Sequence, residues 1–385
     1  MMIEPASLEI TAIAPSDRIA GVYFLYGSNR LYRAVASDIR LIAKLPNLKR
    51  IAHKIGDGRL EGKELEINIY VHRDYVCVTE RFGVNAALVD LKTGKVRKLK
   101  REDYHCDVSS YSIGFIERDG RIFLIHQTQW NRLDILDMET GEILTEREVS
   151  VHETDEKDEY GGKKYVYKNY LDYFHSLIHV SPDGKHFLSN GWVWSPQDHI
   201  TLFDLDAFMK SYEKEAIYIS YPYYADGYNW DRPCCFIDNE TFTVILDDAR
   251  IAGLDPEEEE EYEYKQLALF KTSDVCTSED RNYRSISPYL SMKCTAFQAE
   301  KDNYGEVHGR LYYDAAKEYL VAVTPNGSSA VSLSGEVLQT IPEAVFSGSL
   351  FKHEDKLTLG YAYSSAHHVL YTWENGIGII ERKFE

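Results

Sequence analysis

Cysteine, basic charge and long apolar runs are all scarce in this chain, and each shortage excludes something. Six cysteines, at 77, 106, 234, 235, 276 and 294, are spread over 385 residues, and no two form a Cys-x-x-Cys pair. Cys234 and Cys235 are adjacent, a poor geometry for bridging one another. This spacing supplies neither a structural zinc site nor a disulfide framework, so free thiols in a reducing compartment are expected. No stretch approaches the 18 or so apolar residues of a membrane span. The opening MMIEPASLEITAIAPSDR has no basic segment followed by an apolar core, so a secretory signal is not expected and the expected location is cytoplasmic. Lys and Arg number 43 against 62 Asp and Glu, a formal charge of −19. A field of that sign repels phosphate backbones, so neither nucleic acid nor a membrane is the expected partner, whereas a basic protein surface is compatible.

Recognisable catalytic patterns are missing too. There is no Gly-x-Ser-x-Gly, no Ser-x-x-Lys, and no cysteine in a nucleophile's setting. His175, His179, His186 and His199 fall close together. The flanks of the first two read as strand, which separates them by about 13 Å at the ~3.3 Å rise per residue, too far for one zinc. The acidic runs HETDEKDEYGG (152–162) and DPEEEEEYEY (255–264) lack the alternating oxygen ligands and central glycine of a calcium loop, and read as solvated inserts. No catalytic residue, metal or cofactor is therefore expected.

Apolar residues make up 44% of the chain, enough for a sizeable core, and aromatics 13%, including 29 tyrosines, which suits half-buried pleated strands. The strands repeat. AALVDLKTGKVRKL begins at Ala86 and LDILDMETGEILTE at Leu133, which places Asp90 and Asp137, like Gly94 and Gly141, 47 residues apart. The apolar-Asp-apolar signature returns in TLFDLDAF at Asp204, delayed by the polar insert of residues 150–169. Upstream of two of these lie Asp-Gly turns, in RDGRIFLIHQ (118–127) and SPDGKHFLSNG (181–191), which join strands at little conformational cost.

Three or four short antiparallel strands per unit of about 45 residues is the period of a propeller blade. Central strands are expected at 21–27, 75–82, 121–127, 186–194, 241–248, 318–325 and 356–363. The expected fold is thus all-β: one closed β-propeller domain over residues 1–385 with polar inserts near 150–169 and 255–264, of seven blades, with six or eight also fitting the length. Residues 7–14 are the expected partner of the last blade, whose own strands meet at Asn375-Gly376.

The unit SPDGKHFLSNG…ITLFDL resembles WD40-like and related bacterial β-propeller repeats, with Phe203-Asp204 and Leu136-Asp137 in the Trp-Asp place; the Gly-His dipeptide of true WD40 repeats is absent. Residues 177–206 and 74–149 carry the resemblance. It implies the fold, while propellers serve as scaffolds, receptors and enzymes alike.

Two aromatic groups are the candidate partner site. Trp192 and Trp194 share a strand face, and the segment 218–232 holds Tyr221, Tyr223, Tyr224, Tyr228 and Trp230 around Pro222 and Gly227. Rings on loops at a propeller's mouth make binding hot spots; the competing reading is packing between blades. The expected function is a non-enzymatic scaffold binding a protein or peptide partner. The alternatives are a lactonase-like hydrolase with a channel metal, and an acidic inhibitor or immunity-type protein for a basic effector.

Overall fold

The computed structural model describes residues 10–385 except 28, 50, 53–55, 59, 146–147, 159–160, 195–196, 211–216, 220–230, 247–263, 279–282, 299–308, 346–360 and 375–377. The described residues form a seven-bladed β-propeller, and the blades follow one another in chain order. Blades 1 to 7 span residues 10–44, 67–100, 113–137, 174–219, 234–298, 310–341 and 361–382.

The hydrophobic pattern of the strands explains the ring. A central strand is buried on both faces, so it reads as a continuous apolar run, and its alternating side chains go to different neighbours. In blade 6, Val321 and Val323 pack towards blade 7, while Leu320 and Ala322 pack towards blade 5. In blade 1, Tyr23 and Leu25 meet blade 2, and Val22 and Phe24 meet blade 7. The core is therefore a set of apolar layers, one at each junction between blades, rather than one central mass.

The repeated aspartates close the turns at the outer part of the blades. Asp90 Oδ1 accepts the amide N–H of Lys92 at 2.8 Å and of Thr93 at 3.3 Å, and Asp137 Oδ1 does the same for Glu139 and Thr140 at 2.8 and 3.2 Å. Gly94 and Gly141 complete these turns at φ of 70° and 76°, a region glycine enters without steric cost. Asp204 instead caps the helix Leu205–Lys210, accepting from the Ala207 amide at 2.8 Å.

Three expectations on layout are corrected. The described part of the expected closing strand, residues 10–14, does not belong to the last blade: Ile10–Pro15 pairs with Val22–Tyr26 as the inner strand of blade 1. The ring closes instead by packing, with Ile10, Ile13 and Phe24 against Val369, Tyr371 and Ile379. In blade 7 the described part of 356–363 belongs to the inner strand, Tyr361–Ser364, and the second strand is Val369–Glu374. The polar insert at 150–169 is largely exposed, as expected, but it is not unstructured: Ser150–Lys157 and Lys163–Lys168 pair as a two-stranded hairpin, tied by Lys163–Glu153, Lys164–Glu156 and Lys168–Glu148 ion pairs. The second acidic run lies outside the described residues except for Tyr264, which starts a strand of blade 5.

Nothing in the repeat pattern foretells a second feature. The connection between the third and fourth strands of blade 5 forms a hairpin, Val275–Ser278 with Tyr283–Ile286. Its second strand pairs in parallel with Ile217–Ile219, the outer strand of blade 4, so that blade 4 belongs to a six-stranded sheet. Ile286 is fully buried in the layer between the two blades.

Closure by packing has a measurable consequence. Phe24 is 0% exposed at the junction of blades 1 and 7. Phe24→Ala is expected to cost about 3–5 kcal/mol, as for a fully buried aromatic. Thermal melting of the variant should show a clearly lower midpoint; an unchanged midpoint would contradict closure through this layer.

Candidate binding face

The inner strands begin, and the second strands end, at the same end of the ring, and two side-chain systems occupy that end. The first is polar and central. Glu66 precedes the inner strand of blade 2, Arg81 follows its second strand, Ser110 precedes blade 3, Ser176 lies in the inner strand of blade 4, Asp231 precedes blade 5, and Arg310 opens blade 6. Arg81 donates from Nη1 to Glu66 Oε2 and from Nη2 to Asp231 Oδ2, each at 2.5 Å, and from Nε to Ser110 Oγ at 3.0 Å. The hydroxyls of Ser110 and Ser176 donate to the two Asp231 oxygens, each at 2.8 Å. Arg310 Nη2 stands 3.8 Å from Asp231 Oδ2.

Burial alone would raise the Asp231 carboxyl, but the two guanidiniums and the hydroxyls outweigh it and hold the group below the ordinary carboxylate range. Burial likewise works against the Arg81 cation, and the two carboxylates more than offset it. Next in sequence, Arg232 turns away from the channel. It donates to Asp198 Oδ2 from Nε at 2.8 Å and from Nη2 at 2.6 Å, and to the Ile245 carbonyl at 3.1 Å, fastening blade 4 to blade 5.

The second system is aromatic and lies over the junction of blades 3 and 4. Phe174 opens the inner strand of blade 4 and stacks on Trp192 of the second strand at 3.6 Å between centroids, with ring planes 5° apart. Two local features place them. Pairing shifts register between Phe174 and Leu177, and a Cβ on Gly191 would fall 2.0 Å from the Phe174 carbonyl oxygen, so glycine is required there. Trp192 also donates from Nε1 to Ser109 Oγ at 2.9 Å. Trp130, from the turn between the second and third strands of blade 3, packs on Phe174 at 4.3 Å. Trp194 meets Phe174 edge-on at 5.1 Å, and Tyr104 lies 5.8 Å from Trp130.

The loop carrying Tyr104 and His105 is pinned from below by Arg101. This guanidinium, 3% exposed, donates to the carbonyls of Gly83, Cys106 and Ser109 at 2.8, 2.9 and 2.7 Å and to Gln127 Oε1 at 2.6 Å. Burial lowers its proton affinity, and the neutral oxygens satisfy its donors.

The structure divides the sequence-derived site residues. Trp192 is 2% exposed and forms the floor, whereas Trp194 is 48% exposed and stands on the surface beside it. Tyr221, Tyr223, Tyr224, Tyr228 and Trp230 lie outside the described residues; the segment they belong to ends in Asp231 and Arg232, the two residues just described. Tyr104 is 45% exposed, and it and Trp130 were not singled out from the sequence. Each is one ring in an otherwise polar loop or turn, and only the meeting of two blades joins them to Trp194.

Among the described residues no three His, Cys, Asp or Glu side chains are placed to hold a metal ion, and no helix is long and apolar enough to cross a membrane. The histidines are wall elements. His175 donates or accepts through Nδ1 at 2.8 Å from Ser189 Oγ, and burial pushes it down to about 3; burial also pushes His126, His179 and His199 down to about 4.

Ring, repeat turns and central polar cluster together define a seven-bladed β-propeller. No protein-family model matches the sequence, and no curated protein matches it. Among solved structures the chain is similar to the WD40 repeats of RRP9, with a TM-score of 0.53 and 7% identity over 98% of this chain and 90% of that one. It is similar to U3-55K at a TM-score of 0.52 and 7% identity, over 98% and 91% of the two chains. A hydrazine synthase chain of Kuenenia stuttgartiensis aligns at a TM-score of 0.49 and 11% identity over 100% and 99%. At such identities the likeness extends to the fold and not to the chemistry.

Two outcomes follow from this geometry. Arg81→Ala leaves two buried carboxylates without their shared cation and is expected to cost about 3–5 kcal/mol, read as a lower melting midpoint. Acid should act early. His126 and His175 stay neutral in the fold down to about 4 and about 3, while unfolded imidazoles titrate near 6.5. The unfolded chain therefore binds more protons below that value, so stability is complete above pH ~6.5 and falls as pH drops towards about 4. Unfolding free energies from urea titrations at about pH 7 and 5 should differ by roughly 2 kcal/mol for each of these two residues, with the midpoint lower at the acid pH. Equal midpoints would show that neither imidazole is desolvated.

Proposed function

We propose that this chain is a non-enzymatic propeller that binds a protein or peptide partner on the face carrying Tyr104, Trp130 and Trp194. One observation carries the reading. Tyr104 and Trp194 stand 45% and 48% exposed on a floor, Phe174 and Trp192, that is almost wholly buried. Large rings held rigidly at the surface lose little conformational freedom when a partner covers them, which is what makes an interface hot spot. Tyr221, Tyr223, Tyr224, Tyr228 and Trp230 belong to the same proposal on sequence grounds. So does a cytoplasmic setting, since free thiols such as buried Cys77, Cys234 and Cys294 fit a reducing compartment. The WD40 neighbours support a scaffold in general terms.

Two variants separate binding from folding. Trp194→Ala and Tyr104→Ala should weaken partner capture by about 2 kcal/mol, some 30-fold, and leave the melting midpoint in place. Trp192→Ala, which removes the floor, should instead lower the midpoint by the equivalent of about 3–5 kcal/mol. Capture that survives both surface substitutions would refute this assignment of the face.

A further inference from the structure

The rings of this face touch one another. Centroids are 5.8 Å apart for Tyr104 and Trp130, 4.3 Å for Trp130 and Phe174, and 5.1 Å for Phe174 and Trp194. None of these three pairs leaves a slot between its rings in which an ammonium group could be enclosed. A ligand side chain has to lie on top of the rings, which favours a flat one.

The surroundings are acidic. Glu102 and Asp103 are exposed and directly precede Tyr104. Asp57 is exposed, with Oδ2 3.2 Å from Nδ1 of His105, whose ring abuts Trp194 at 5.4 Å. Asp172 is exposed, two residues before Phe174 and two after Tyr170, whose ring lies 6.1 Å from that of Trp130. Partial burial raises the Asp172 carboxyl. Among the described residues lining the hollow between Tyr104, Trp130 and Phe174, the one cation is Arg101. It is buried and already saturated by neutral oxygens.

We propose that the face takes an arginine side chain from an extended segment of a partner protein, with the guanidinium flat on Trp194 or Tyr104 and its N–H groups turned to the carboxylates of Glu102, Asp103 and Asp172. Guanidinium is planar, weakly hydrated and forked, so it stacks on a ring and pairs with a carboxylate at the same time; a lysine ammonium is a compact, strongly hydrated point charge that can do either but combines the two less well on an open platform. The net charge of −19 draws such a segment in at low ionic strength. This inference rests on the binding reading above and narrows it to one side-chain chemistry.

Short capped peptides of glycine and serine with a central arginine, lysine or citrulline test it on the full-length chain, by calorimetry and tryptophan fluorescence. The arginine peptide is expected to bind with a Kd near or below about 1 mM, and the citrulline peptide, which keeps the shape and loses the charge, at least about tenfold more weakly. The lysine peptide should fall between them. The double variant Glu102→Gln/Asp103→Asn and the single variant Asp172→Asn should each weaken the arginine peptide by roughly three- to tenfold with the melting midpoint unchanged. Neutralising Asp119 and Glu139, exposed on turns at the opposite end of the ring, should leave it unaffected. Equal binding of arginine and citrulline peptides, no binding of either, or equal loss from the remote pair would overturn the arginine assignment. None of these outcomes touches the platform itself, whose failure would show as partner capture that survives Tyr104→Ala and Trp194→Ala.

Discussion

The carboxylate of Asp231 is where the ring is held to its centre. It collects Arg81 from blade 2, Ser110 from blade 3, Ser176 from blade 4 and Arg310 from blade 6, and it sits itself at the entry to blade 5. Five of the seven blades thus share one charge. A buried ion cluster of this kind adds little net stability over an apolar plug of the same volume, because desolvation nearly cancels the attraction. Its effect is directional. Hydrogen bonds with fixed partners tell each inner strand how far to slide along the channel, which apolar layers between blades do only loosely.

Those layers provide the bulk of the burial. Each central strand divides its side chains between two neighbours, so no blade is complete without the next. The closure follows the same rule: among the described residues, blade 1 meets blade 7 through side chains. The hairpin of blade 5 that extends the sheet of blade 4, and Arg232 bridging the same pair, reinforce one junction beyond this common scheme. The junction before it, between blades 3 and 4, carries the aromatic face instead. A rigid frame on one side and a pinned loop on the other leave two rings exposed without leaving them free to collapse.

The buried histidines are desolvated and neutral, the buried thiols are pushed up by burial, and the central carboxylates are committed to guanidiniums. Groups in those states neither donate nor accept protons readily near neutral pH. The exposed chemistry of the face is aromatic and anionic, a combination matched by a planar cation.

The spacing of Asp90 and Asp137, followed by Gly94 and Gly141, and the return of the apolar-Asp-apolar signature at Asp204 made the blades readable, because a strand end and its turn need similar local chemistry wherever they recur. Central strands at 21–27, 75–82, 121–127, 186–194, 241–248 and 318–325 were legible for the same reason: burial on both faces leaves an unbroken apolar run. The insert at 150–169 was visible as a polar interruption, though not its pairing as a hairpin. Trp194 stood out by its nearness to Trp192, but which of the two faces water depends on Phe174 arriving from the neighbouring strand. Arg81, Asp231 and Arg310 carry no local signal at all. They are 150 residues apart in the first case and 79 in the second, and a charged residue at a strand end looks like any solvated one until seven blades place it on a common axis. Sequence alone determined what repeats, because strands and turns are written in neighbouring residues. Only the closed ring decided what meets at its centre and at its rim, because those contacts join residues that nothing local relates.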